Sequence, residues 1–388
     1  MSAAALAGAS ASRPRPHLPS LLALALAAAG LFGALSQAGA EAVLGSVGLG
    51  LAGLLALATV AASFGGAWGL ALVAPASLTA AFLTVAAQRG MATGGGWGYW
   101  AVLAGTLLAA AFATGKLTLL PQATSDARGG LALAALQRIL PAATVPLVLL
   151  LAWEGLVVGF RVPTGIFPRV SDIGSALRRS WPVLMADAYL TFVREVLFGF
   201  AVGLASGFLA GSAIAFSGFL RRGFLPLATA FGAVPIVGLA PVLGRALGVD
   251  WESKAAVVVI VTFFPVVLNT VQGLTSVDPL RLELLRSYAA TPLQIFFSLR
   301  LPNALPYLFN ALKISVVVAV IGVIVAEFLI PGPPSGLGQR ISLSAHRGAF
   351  DIVFAAILVS SVISMALYWA ISLLERLVTG WHPSARSG

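Results

Sequence analysis

Between Leu18 and Gly115 the chain carries only two charged side chains, Glu41 and Arg89. No soluble fold can cover its surface with so little charge, and a segment this apolar belongs in a bilayer. Inside hydrocarbon every backbone N–H and C=O must be satisfied by the protein itself, so only helices and closed barrels span. Alternating strands of about ten residues, the barrel signature, are absent, so the expected fold class is all-α and polytopic. Composition agrees: 59% of the 388 residues are hydrophobic and 9% are charged, against about 25% charged in soluble domains. These values exclude a soluble enzyme, a disordered protein and a nucleic-acid-binding module.

About ten segments meet the length of a spanning helix, which is about 20 residues. They lie near 18–38, 43–63, 68–88, 97–120, 142–160, 189–216, 224–247, 255–274, 306–330 and 350–374. The first could instead be a signal peptide, with Ser36 to Ala38 as a cleavage site, but its apolar run exceeds the usual 7–15 residues. Composition changes near residue 140, giving an N-terminal membrane block over 1–140, with about four helices of unknown role, and a second block over 141–388. A polar stretch from Lys116 to Arg138 joins them, with Asp126 to Gly130 as the flexible part. The net charge of +10 fits Lys and Arg at helix ends setting topology. Arg13, Arg15, Lys116, Arg128, Arg138, Arg221, Arg222, Arg376 and Arg386 fall on the cytoplasmic side with both termini. Arg161, Arg169, Arg178 and Arg179 fall outside on the same count and break the bias.

Cysteine is absent, which removes disulfides, thiolate catalysis and zinc–sulfur sites. His17, His346 and His382 stand at no metal-ligand spacing. No catalytic residues and no metal site are expected. No Gly-rich phosphate loop of the G-x-x-x-x-G-K-[ST] type occurs; Gly115-Lys116 is followed by Leu117.

The loop from Ser276 to Pro306 is too polar to cross a membrane and more elaborate than a connection needs to be. Asp278 before Pro279 is an N-cap followed by a favoured first helical residue. Thr291, before Pro292 and three residues from Gln294, starts a second helix with capping-box spacing. Pro302 is expected to limit that helix. The loop holds Arg281, Glu283, Arg286 and Arg300; in the first helix Leu282, Leu285 and Ala289 share one face, while Arg281 and Glu283 point elsewhere. Such a capped helical pair on a cytoplasmic surface suits docking of a partner.

These residues resemble the EAA motif of permease subunits in binding-protein-dependent ABC importers. That pattern runs Glu-Ala-Ala, three residues, Gly, nine residues, an aliphatic residue, one residue, Leu-Pro. Glu283 takes the Glu position, and Leu299, Leu301 and Pro302 take the last positions; Leu284 and Leu285 replace the alanines and Ala289 replaces the glycine. If that turn needs a positive φ, Ala289 is a poor substitute. The resemblance covers roughly 145–382 and includes Phe160 to Pro163, Thr191 to Gly211, Ala233 to Pro235, Ala240-Pro241, Phe264-Pro265, Asn269-Thr270, Ala326 to Phe328 and Gly336 to Gly338. It implies a six-helix permease core preceded by about four extra helices. It further implies an inner-membrane homodimer, two copies of an ABC ATPase gripping the 279–291 helix, and a periplasmic substrate-binding protein. ATP and Mg would sit on the ATPase, with no cofactor on this chain. The branch resembled includes permeases for sulfonates, taurine, nitrate and pyrimidine precursors, and Leu305 to Phe309 looks nearest to the hydroxymethylpyrimidine or riboflavin type.

Four further features carry expectations. Gly199, Gly203, Gly207 and Gly211 make a smooth helix face for close packing, or for sliding during a conformational change. Glu327 near the end of a long apolar run is a gate residue or a helix-end residue at the interface. Lys313 is about 21 Å from it along one helix, too far for direct pairing. Asn269, Asn310 and Ser315 are pathway candidates, or satisfy nearby backbone. The rival to an importer permease is a stand-alone secondary transporter or channel, which has no use for the docking loop.

Overall fold

The computed structural model describes residues 67–89, 94–120, 130–231, 235–330, 332 and 336–380. The expected spans at 18–38 and 43–63, the Ser36–Ala38 site, most of the 126–130 linker and Ala233-Val234 lie outside the described residues. Those described form helices and turns, with no strand among them. Among the described residues seven helices are long and apolar enough to cross a membrane. Of the ten expected, two fall outside the described residues and one, 224–247, is divided.

Chain contacts separate two units, Met1–Asp172 and Ile173–Gly388. The first contains α1 (Ala67–Arg89), α2 (Trp97–Leu119) and α3 (Gly130–Gly159). All three are apolar around their circumference and pack on one another. Ala81, Val85, Tyr99, Leu103 and Val158 form their shared core, flanked by Trp100, Leu107 and Leu151. Helix–helix association in lipid relies on close packing and hydrogen bonds, and both are present. The Tyr99 hydroxyl donates to Gly155 O at 2.7 Å, and Thr114 Oγ1 donates to Thr144 Oγ1 at 3.1 Å. Arg89 pairs with the buried carboxylate of Glu154, which also accepts from Ser171 N at 3.2 Å and Ser171 Oγ at 2.9 Å. The helix holding the expected 142–160 span thus starts at Gly130 and packs with α1 and α2, so the contact division falls later than the composition change near residue 140.

The helix α4 (Val170–Arg179) leads into the second unit. There α5 runs over Trp181–Phe216, α6 over Gly218–Phe231, α7 over Ile236–Leu247 and α8 over Trp251–Thr275. Next come α9 (Pro279–Ser287), α10 (Pro292–Leu329), α11 (Leu337–His346) and α12 (Phe350–Val378). The long helices α5, α8 and α10 make the centre, with α8 packed between the other two. The segment expected to span as 224–247 is two short helices, α6 and α7. At 1.5 Å per residue neither reaches the ~30 Å of a hydrocarbon core.

Two stretches widen to i→i+5 turns: Tyr189–Leu197 within α5 and Phe296–Arg300 within α10. The second explains a departure from expectation. Pro302 does not end its helix; α10 runs through it to Leu329. A proline clashes with the carbonyl one α-turn back and cannot donate to it. The preceding wide turns, closed by Leu301 N on Phe296 O, make room for the ring.

Candidate functional site

The polar loop is a capped lever. Asp278 accepts from Leu280 N at 3.0 Å and starts α9. The Thr291–Gln294 capping box is complete, with Thr291 N donating to Gln294 Oε1 at 2.7 Å. Between them the chain reverses at Ala289, which has φ 54°. Ala290 N donates to Leu285 O at 3.0 Å, and Ala289 N to Arg286 O at 2.9 Å. That pair of bonds is the Schellman motif, whose left-handed residue is normally glycine. The reversal therefore does need a positive φ, and alanine bears it.

No residue of α9 is buried. Leu282 and Leu285 are half-buried and Ala289 is exposed. The open apolar stripe is a different one: Leu280, Leu284 and Tyr288, four residues apart, at 74%, 57% and 78% exposure. Leu293 and Phe297 at the start of α10 are exposed as well. Arg281, Glu283 and Arg286 are exposed beside it, with Arg281 Nε 3.7 Å from Asp278. The stripe was legible from i,i+4 spacing, but Leu282 and Leu285, at i,i+3, fit a helix face as well.

The lever is fixed to the bundle at its second arm. Asn303 Nδ2 donates to Gly273 O at 2.9 Å, and Arg300 Nη1 to Leu274 O at 3.2 Å, both on α8. Arg300 also lies over the Phe216 ring at the end of α5, 5.2 Å from its centroid. A Cβ on Gly273 would stand 2.7 Å from Ala304 Cα, so α8 and α10 touch backbone to backbone. Leu299, Leu301 and Pro302 are half-buried in this joint. Lower on α10, Lys313 Nζ bonds Glu375 Oε2 of α12 at 2.8 Å.

The four glycines Gly199, Gly203, Gly207 and Gly211 are all buried along α5 against α8. Each faces one turn of that helix. A Cβ at Gly199 would lie 2.7 Å from Val258 Cβ; at Gly203, 2.8 Å from Thr262 Cβ; at Gly207, 2.9 Å from Val266 Cβ; at Gly211, 2.7 Å from Thr270 Cβ. The partners recur every four residues and are all β-branched, so rigid side chains sit in the groove that the glycines leave.

Two of the pathway candidates meet. Asn310 Nδ2 reaches Asn269 Oδ1 at 3.4 Å, which brings those two together; Asn269 also donates to Pro265 O at 2.9 Å. Ser315 is fully buried and its hydroxyl has no partner. Glu327 is not at an interface with water: it is 2% exposed and accepts from Thr191 Oγ1 at 2.8 Å and Gly338 N at 2.5 Å. Its neighbours Glu195 and Lys254 are buried too, and no sequence spacing connected the three.

The family described as "Binding-protein-dependent transport system inner membrane component" matches residues 203–380. A probable ABC transporter permease protein of Haemophilus influenzae is 30% identical over 232 residues, 60% of this chain and 94% of that one. The formylaminopyrimidine transport permease protein ThiX of Halalkalibacterium halodurans is 34% identical over 51% of this chain and 80% of its own length. The riboflavin transport system permease protein RibX of Chloroflexus aurantiacus is 32% identical over 42% of this chain and 61% of its own. Nearly all of the Haemophilus protein is matched while much of this chain lies beyond the match. The chain belongs to the binding-protein-dependent transport system inner membrane components, as a multi-pass permease subunit of an ABC importer that works with a separate ATPase and a substrate-binding protein and is not itself an enzyme.

Proposed function

We propose that α9 is the element through which the ATPase moves this permease. The observation that carries this is the apolar stripe of Leu280, Leu284 and Tyr288 on a helix with no buried residue. A stripe that open is a contact surface. Its second arm, bonded to α8 and stacked on α5, would pass a displacement of the docked partner to the central helices without loss in a flexible joint. Two permease copies, as a homodimer, would then enclose the path, and two ATPase copies would hold ATP and Mg. Glu283, exposed on the lever, would meet the ATPase as a charged contact, with Asp278, Arg281 and Arg286 around it. Both termini would lie in the cytoplasm.

The solute is a small molecule handed over by a periplasmic binding protein. The names of two relatives, for formylaminopyrimidine and for riboflavin, support a pyrimidine-precursor or riboflavin-type vitamin compound ahead of a sulfonate or taurine. Asn269 and Asn310, which meet at 3.4 Å, would supply polar contacts of the path, whereas Ser315 is buried within the bundle. Substrate-stimulated uptake into vesicles, with ATP hydrolysis measured in parallel, tests the coupling role. Glu283→Arg is expected to leave hydrolysis running while uptake fails; coupled uptake by that variant would remove Glu283 from the contact.

A further inference from the structure

The centre of the second unit holds a charged cluster that docking and transport leave unused. Glu195 on α5 is fully buried, and Glu327 on α10 and Lys254 on α8 are each 2% exposed. The wide turns of Tyr189–Leu197 put Thr191 and Glu195 on the buried face, and such turns are frequent at functional sites. Arg194 next to Glu195 is exposed.

The hydrogen bonds assign a direction to the cluster. Leu337 N donates to Thr191 Oγ1 at 2.9 Å, so the Thr191 proton is free to go to Glu327 Oε1, at 2.8 Å. Gly338 N supplies the other Glu327 oxygen at 2.5 Å. Glu327 is therefore an acceptor on both oxygens and holds the start of α11. The carboxyl lies against Gly336 and Gly338, and a Cβ on either would collide with it.

Glu195 is the reverse case. Neither of its oxygens has a donor. Thr191, which bonds Glu327, lies one turn before Glu195 on the same buried face, and this brings the two carboxyls into one interior. Lys254 Nζ stands 4.0 Å from Glu195 Oε1 and donates to Val249 O at 3.2 Å. The other nearby ion pair, Asp187 of α5 with Arg340 of α11 at 2.6 Å, balances itself. Two carboxylates against one ammonium leave one negative charge buried without compensation, which is costly. One proton removes the excess and gives Glu195 something to donate.

We propose that Glu195 and Glu327 form a proton-binding site, with the proton carried on Glu195 and donated to Glu327, and that this proton holds closed the joint of α5, α10 and α11. Lys254 and ionised Glu327 then neutralise each other. Loss of the proton sets two carboxylates against each other at the contact where the three helices meet.

The test uses the full chain in lipid nanodiscs. Infrared spectra of the wild type minus Glu195→Gln are expected to carry the C=O band of a protonated carboxyl shielded from water. A wild type without that band, or a band that persists in Glu195→Gln, overturns the proposal. Thermal unfolding is the second readout. An amide replaces a protonated carboxyl, so Glu195→Gln is expected to melt with the wild type at neutral pH. If Glu195→Gln instead melts as low as Glu195→Ala, Glu195 is an ionised partner of Lys254 and the proposal is wrong.

Discussion

Ala289 holds φ 54°, a conformation that costs an L-residue about 1–2 kcal/mol. Ala289→Gly is therefore expected to stabilise the lever by about 1 kcal/mol, less the greater freedom of glycine in the unfolded chain. Slower amide exchange at Ala290, whose N–H closes the turn, would report it; faster exchange would contradict it. Gly207 makes the opposite case. Its missing side chain admits Val266, so Gly207→Ala overpacks the α5–α8 seam, at a cost of about 1–3 kcal/mol, read as a lower melting temperature. At this scale the caps were legible because their chemistry is local: Asp278, Thr291 and Gln294 sit within one turn of the groups they bind. The Glu327 environment was not. Its partners Thr191 and Gly338 come from other elements, and a periodicity argument along one helix can show only that a charge is out of place. Lys313 is the same lesson, since its partner Glu375 is 62 residues away.

Helices whose apolar length decides their fate were legible as elements. The expected 97–120 and 350–374 spans are α2 (Trp97–Leu119) and α12 (Phe350–Val378). Where one segment does two things, apolarity alone misled. The expected 306–330 span is only the apolar part of α10, which begins at Pro292 in the capped loop. A lever continuous with a spanning helix is what the docking role requires. The ion pair that joins α10 to α12 belongs to this scale. Its side chains are each 24% exposed, and interhelical polar contacts in membranes contribute about 1 kcal/mol. Lys313→Met and Glu375→Gln are each expected to lower stability by about that amount, and the double variant by little more than either. Simple additivity in that cycle would show that the pair is not coupled.

For the whole molecule, the composition change near residue 140 and the contact division after Asp172 differ because of one ion pair and one packed core. Arg89, one of only two charges between Leu18 and Gly115, finds Glu154 on α3. A chain reduced to 141–388 keeps Glu154 and loses its cation. Glu154 is buried although Arg89 is exposed, and a buried carboxylate left without its cation is costly, so the shortened chain is expected to accumulate poorly in membranes. Glu154→Gln in the same shortened chain should recover part of that yield, since an amide can still accept from Ser171. Equal yields with and without the substitution would mean that the pair does not hold α3. The central claim is that α9 carries an ATPase, and native purification tests it most directly. The C-terminally tagged chain, extracted in mild detergent, is expected to bring down a polypeptide with nucleotide-binding motifs, and Leu284→Glu, which leaves the caps of α9 untouched, to lose it. A folded, monodisperse preparation of the wild type with no ATPase, or an ATPase retained in full by Leu284→Glu, would contradict the account.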